Sequence, residues 1–392
     1  MEQAKPSKAE KRRLGCLEPL IFVAILAVVF GAMGTVMGAV NMLNTLMQTA
    51  YALLIDTVLY IMAVAVLAGA LAALLSEFGV ITSVNMLLSP LMKPIYGLPG
   101  AASVGIMATY FSDNPAILPL ANDGKFRQFF KKYQLPALTN IGTAFGMGVI
   151  ITTFMLGVTG PTGETFGLAI LVGNIGAIIG SIISTRLMLR YTAKIYGKEA
   201  PCDPLPGEEH EANKPKGERK SVGMRFISAM LVGGKNGVKV GVDIIPGVLI
   251  ICTLVLMLTN GPSESGVYTG AAYEGVRFLP WVGEKLSFIF TPLFGFTSHE
   301  SIAVPITALG AAGAAIGIIP KLISAGLAHG QDVAVFIAMC MCWSGYLSTH
   351  VAMMDNLKCG ELTGKAILCH TIGGLGAGIA AHWIYYFLSM IV

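Results

Sequence analysis

The chain has 392 residues, 54% of them hydrophobic and only 12% charged, with a formal net charge of +4. Its apolar runs repeatedly exceed the roughly 20 residues that cross a bilayer as helix, and its mean hydropathy is +0.71. No series of alternating ten-residue strands is present, which excludes a membrane barrel. The basic residues are gathered in a few segments, so the positive balance reports topology and no nucleic-acid partner is expected. The expected class is an all-α polytopic membrane protein.

In chain order, Lys5, Lys8, Lys11, Arg12 and Arg13 precede an apolar run from Leu20 to Val40. That run is too long for a signal-peptide core and reads as a retained first helix with its N-terminus in the cytoplasm. Asn41 to Thr49 is expected as a polar connection on the outer side, and Thr57 to Leu75 as a returning span. Val80 to Leu120 is apolar but interrupted by Pro90, Pro94, Gly97, Pro99, Gly100 and Pro115, so it is expected as helical pieces or a re-entrant hairpin. A basic loop (Lys125, Arg127, Lys131, Lys132) follows on the cytoplasmic side. Pro136 to Val158 and Phe166 to Leu189 are spans joined by the turn Gly160 to Glu164. Arg190 to Lys239 reads as a polar cytoplasmic tether.

The second half opens with the span Gly241 to Leu258 and an outer loop, Gly261 to Gly275. Phe278 to Leu293 leads into Phe296-Thr297-Ser298-His299-Glu300-Ser301-Ile302-Ala303-Val304-Pro305, a polar run between apolar segments. Ile302 to Ile319, Phe336 to Met354 and Ala366 to Ile391 complete the chain. The seven cysteines are scattered; Cys340 and Cys342 read as small apolar side chains, and no disulfide framework or metal site is expected.

The halves resemble each other. Asp56 and Asp243 each head a long apolar run, and Leu88 to Gly97 aligns without a gap on Leu286 to Gly295. Tyr110 to Ile117 echoes Tyr346 to Met353, and Asn140, Gly146 and Gly148 fall opposite His370, Gly376 and Gly378. On this alignment the second copy carries an insertion from about Ile302 to Met339. The positive-inside topology starts the first copy outside and the second inside. Two inverted-topology repeats with Pro/Gly-broken or re-entrant helices are therefore expected, the arrangement that supplies alternating access in secondary transporters. The expected divisions are 1–50 (N-terminus and first helix), 51–159 (first repeat), 160–189 (connecting helix), 190–239 (linker) and 240–392 (second repeat).

These features resemble the Gate, or nucleoside-recognition, domain group, which is similar to spore maturation membrane proteins, the gate regions of ferrous-iron transporters and, distantly, concentrative nucleoside transporters. The resemblance covers roughly Tyr51 to Met155 and Gly241 to Val392. Ser298-His299-Glu300-Ser301 with Pro305 is similar to the Gly-Gln-Ser/Thr-Glu-Ala-Pro hairpin of nucleoside transporters, with His299 where Gln is expected and the proline displaced. A nucleoside-like substrate is what the resemblance implies.

Ionisable residues at membrane depth are costly unless they face a cavity. Ser298, His299, Glu300 and Ser301 are therefore candidates for solute binding, together with Ser112, Asp113 and Asn114 in the first half. Thr349 and His350 are their counterparts, and Asn140 and His370 are matched polar residues whose other reading is interhelical hydrogen bonding. Asp113, His299 and Glu300 are candidates for a coupling ion, and His382 reads as part of an aromatic interfacial belt. The leading reading is a secondary transporter of a small polar organic solute driven by a proton or sodium gradient. The alternative is a membrane scaffold or assembly factor, and an intramembrane hydrolase built on His299, Glu300 and Ser298 or Ser301 ranks last, so an enzyme is not expected. Expected partners are the solute, the coupling ion, membrane lipid and, as a homodimer, a second copy of the chain, with no cofactor. The expected location is a bacterial cytoplasmic membrane with both termini inside.

Overall fold

The computed structural model describes residues 8–112, 116–117, 124–202, 221–263, 265–310, 312–344 and 346–391. Among them every regular element is helical, and six segments are long and apolar enough to cross a membrane: Leu17–Met37, Ala39–Glu77, Lys132–Leu156, Gly167–Tyr196, Val222–Thr259 and Gly360–Leu388. The chain is an all-α polytopic membrane protein.

Helix α1 (Lys8–Met37) is followed by α2 (Ala39–Ala52), a π-helical turn (Leu53–Val58) and α3 (Leu59–Glu77) in one continuous span. The polar connection expected at Asn41 to Thr49 is thus helix. Its polar side chains face protein: Thr49 Oγ1 accepts from the Tyr273 N–H at 2.8 Å, and Asn41 Nδ2 donates to the Tyr268 carbonyl at 2.9 Å. A polar helix face that finds such partners has no need of water, which is why polarity alone misplaced it.

The interrupted stretch does break. Helix α4 (Val80–Tyr96) tolerates Pro90 and Pro94 and stops at Gly97, whose φ of 78° is open to glycine. Arg186 donates to the carbonyls of Pro94 and Ile95 at this helix end, one of them at 2.8 Å. Helix α5 (Ala102–Phe111) ends at Ser112. After the short α6 (Gly124–Arg127), the next span is two helices, α7 (Leu135–Thr143) and α8 (Gly148–Leu156), separated at Met147 with φ 56°. Helix α9 (Gly167–Tyr196) outlasts its expected end.

In the second half α10 (Val222–Asp243) begins inside the stretch expected as tether, with Ser221 as its N-cap. A second π-helical turn (Gly247–Cys252) and α11 (Thr253–Thr259) complete that span. Then come α12 (Phe278–Lys285), α13 (Ser287–Phe294), a 3-10 turn (His299–Ile302), α14 (Ala303–Gly310), α15 (Ala312–Ser324), α16 (Gly330–Cys342), α17 (Tyr346–Asn356) and α18 (Thr363–Leu388).

Element order corrects the internal alignment. Helix α13 ends at Gly295 with φ 61°, as α4 ends at Gly97, so the match of Leu88–Gly97 to Leu286–Gly295 stands on shared geometry. Beyond that glycine, the described elements of each half run through short helices (α5 and α6; α14 and α15), a broken span (α7 and α8; α16 and α17) and a long helix (α9; α18). No insertion at Ile302 to Met339 is needed, and Tyr110, at the end of α5, falls opposite the end of α14 rather than opposite Tyr346. Small polar residues recur wherever a helix is broken, and that likeness misled the shorter match.

Lipid tails are as apolar as leucine, so these helices are held by close packing rather than by escape from water. Helix α3 lies on α10 with Gly69 against Gly233 backbone to backbone, and α9 meets α18 where Gly180 faces Gly373 and Ala377. Helix α16 is buried from Asp332 to Cys342, all round, as its unbroken apolar sequence after Asp332 requires. It sits against α9 and α18.

Candidate functional site

The turn Phe296–Ile302 is built from both sides. Gly295 ends α13, Phe294 and Phe296 stack at 5.5 Å, and Phe296 packs on Phe336 of the buried helix at 5.9 Å. The decisive residue is Asp332, fully buried in the first turn of α16. Its carboxylate accepts from the Thr297 N–H (2.9 Å), the Thr297 hydroxyl (2.7 Å), the Ser301 hydroxyl (3.2 Å) and the His329 N–H (2.9 Å). Gln331 Nε2 adds a bond to the Gly295 carbonyl at 2.6 Å. A helix N-terminus favours this negative charge, and two of the donors are backbone groups.

Ser298 and Ser301 are spent inside the turn, with their hydroxyls 3.3 Å apart and Ser301 buried. His299 and Glu300 face outward into a cavity of about 760 Å³ bounded by Val29 and Met33 of α1 and by Phe278 and Trp281 of α12. Arg277 and Glu284 also line it. Glu300 Oε1 accepts from Arg277 Nη2 at 3.0 Å; the glutamate side chain is 18% exposed and the arginine 64%. Arg277 itself sits in the left-handed region with φ 53°. The cavity thus offers apolar and aromatic walls with an ion pair and an imidazole at one end, a setting for a solute with an apolar or aromatic body and hydrogen-bonding edges.

Ser112 lies elsewhere. It lines a second cavity of about 740 Å³ between α3, α4, α5 and α10, with Asn85, Asn236 and the Glu77–Arg225 ion pair (2.6 Å) among its polar groups. The two cavities share no lining residue. Asp113 and Asn114 fall outside the described residues, as does the side chain of Thr349.

Asn140 and His350 belong to a third place, the packed interior. Asn140 Nδ2 donates to Ser184 Oγ at 2.8 Å and to the Ala366 carbonyl at 2.9 Å. Ser184 Oγ is 2.9 Å from His370 Nδ1, whose other ring nitrogen meets the Cys342 carbonyl. The His350 ring lies 4.7 Å from that of His370. All four side chains are buried, and the chain joins α7, α9, α17 and α18, so the match of Asn140 with His370 marks interhelical hydrogen bonding. His382, expected in an interfacial belt, is also buried, against Gly295 and Trp383.

Asp332, Arg277 and Ser184 were not singled out from the sequence. For Asp332 the signal was present: an acid three residues after His329, at the head of an apolar run, is the spacing of a capping box. Nothing local marks Arg277 or Ser184.

Comparison with known proteins adds the fold. No protein-family model matches the chain, and no curated protein matches it. Solved structures do. CNTnw, a concentrative nucleoside transporter, in an inward-facing substrate-bound state matches with a TM-score of 0.54 at 13% identity, covering 96% of this chain and 87% of that one. The fold is shared with CNTnw. A doubly substituted CNTnw in an outward-facing state matches with a TM-score of 0.54 at 14% identity, over 97% of this chain and 88% of that one. A singly substituted CNTnw in an intermediate state gives 0.52 at 14% identity over 96% and 86%. At these identities CNTnw informs the architecture. The spore maturation resemblance finds no counterpart in these comparisons.

Proposed function

We propose that the chain is a secondary membrane transporter of a small polar organic solute, nucleoside-like in size and hydrogen-bonding capacity, working by alternating access. The observation that carries this reading is the near full-length fold shared with a transporter captured facing outward, facing inward and between. Two further features support it. The halves repeat the same order of broken elements, and the Phe296–Ile302 turn is fixed by a buried carboxylate so that His299 and Glu300 meet a cavity. In this reading the two halves are inverted in the membrane, Glu300 and His299 contact the solute, and Ser112 lines the path from the other half. A proton or sodium gradient drives the cycle, in a bacterial cytoplasmic membrane with both termini inside.

The test is uptake into proteoliposomes of a radiolabelled panel of nucleosides, nucleobases and amino acids under imposed proton or sodium gradients. Gradient-dependent uptake of at least one solute, reduced in Glu300→Gln, is the expected result. A protein that moves none of them under either gradient would count for the scaffold reading.

A further inference from the structure

Lys321, near the end of α15, takes no part in the turn or in either cavity described above. Its Nζ lies 2.9 Å from the centroid of the Tyr273 ring and makes no hydrogen bond among the described residues. The Tyr273 hydroxyl is likewise buried without a partner among them. The backbone fixes this ring in place: Tyr273 holds φ 69°, a conformation bulky residues rarely adopt, pinned because its N–H donates to Thr49 Oγ1 and its carbonyl accepts from Asn260 Nδ2 at 2.7 Å.

The other groups facing Lys321 come from the two π-helical turns, which touch each other and both pack on α15. Asp56 of the first turn acts electrostatically on Lys321 and on Tyr273. Cys252 of the second donates its thiol to the Ala314 carbonyl of α15 at 3.0 Å, with Cys340 of α16 behind it. Irregular turns of this kind are concentrated at functional sites.

An ammonium without an acceptor is opposed by its burial and supported here by the ring face and the Asp56 carboxylate. Both supports belong to elements other than α15. Whatever moves α15 away from them weakens the proton's hold, and by linkage whatever removes the proton weakens the contact. Resting on the transporter reading, we propose that Lys321 is a proton-binding residue of the cycle: protonated, it fastens α15 to Tyr273 and Asp56, and deprotonation releases the helix. In that step an N–H bond of the ammonium breaks, the nitrogen keeps the electron pair and the proton passes to water. The coupling ion of this chain is then a proton, bound apart from Glu300.

Hydrogen exchange of the full-length protein in lipid nanodiscs, without solute, tests this across a pH series corrected for intrinsic exchange. In the wild type, peptides over 265–276 and 312–324 should open roughly tenfold faster once the single proton is lost, the scale of one desolvated cation–π contact. Lys321→Met should exchange fast at every pH, Lys321→Arg should stay protected at every pH, and Tyr273→Leu should lose the protection of the low-pH form. A wild-type pH profile in Lys321→Met overturns the proposal. If that variant does not fold, Lys321→Arg decides alone, because a retained pH step there overturns it equally. The readout needs no transported solute, so a switch seen in a protein that moves nothing would sink the transporter reading and leave the proton site standing.

Discussion

The Asp332 carboxylate binds Thr297 twice, at 2.9 Å through the backbone N–H and at 2.7 Å through the hydroxyl, across 35 residues of chain. Replacing it with alanine removes the carboxylate acceptor of two backbone N–H groups and of the Thr297 and Ser301 hydroxyls. Unmade buried hydrogen bonds to a charged group cost about 1.5–3 kcal/mol each before relaxation. Asp332→Ala is expected to lower thermal stability in detergent by several degrees and to abolish uptake. Asp332→Asn, which keeps one acceptor oxygen, should fall between. An unchanged melting temperature in Asp332→Ala would refute the role assigned to the carboxylate.

Arg277 and Glu300 form a partly exposed pair, with the arginine 64% exposed. Screening leaves such pairs about 0–1 kcal/mol, so Glu300→Gln and Arg277→Gln should each fold and melt nearly as the wild type does. If Glu300 contacts solute, uptake should nonetheless drop at least tenfold in Glu300→Gln, while a stability double-mutant cycle shows weak coupling. Loss of stability in step with loss of uptake would make the pair structural.

Helix α3 and helix α10 approach where Gly69 and Gly233 face each other's backbone, and a Cβ on Gly233 would collide with the Gly69 carbonyl. Backbone cannot rotate away as a side chain can. Gly233→Val should therefore destabilise by about 1–3 kcal/mol, the ordinary cost of overpacking. Gly223→Val, in open space on the same helix, meets nothing and should be neutral or slightly stabilising, since helix propensity favours valine over glycine. Equal melting temperatures for the two variants would contradict the close approach.

Glu274 ties the 261–277 loop to α2. Burial alone would raise its carboxyl above the ordinary value, but bonds from the Thr269 N–H and hydroxyl, the Gly270 N–H and Thr45 outweigh it and hold the group below that value. A group lowered in the folded state contributes stability above its unfolded value and loses it as the pH falls through its folded one. Limited proteolysis of the 261–277 loop should accelerate below about pH 4.5, the unperturbed carboxyl value. Glu274→Gln should be cleaved at a rate that does not change over that range. A wild-type loop equally resistant at pH 3 and pH 7 would argue against the anchoring role.

Much of the architecture could be read from the residues. Long apolar runs set the spans, and glycine and proline at 97–100 and 295 placed real breaks, because only particular backbones can end a helix there. Where the reading went wrong, the cause was a partner far along the chain. Asn41 to Thr49 looked like a loop until its polar face met Tyr268 and Tyr273, and His382 looked interfacial until Gly295 and α16 covered it. The candidate residues were legible as a set but not as one site. Ser112, Glu300 and Asn140 occupy separate surroundings, and spacing along a sequence carries no sign of that. Asp332 was the readable omission, since a capping box is a local pattern.

The π-helical turn at Leu53–Val58 winds one more residue per turn than the α-helix around it. Upstream of it, one side of the span grips the 261–277 loop through Thr45 and Thr49; downstream, another side grips α10 through Ala65 and Gly69. In a regular helix each residue advances the face by about 100°. The turn is therefore an angular offset that lets a single helix serve two docking directions. Shortening it by one residue would leave both sets of side chains intact and point one of them the wrong way.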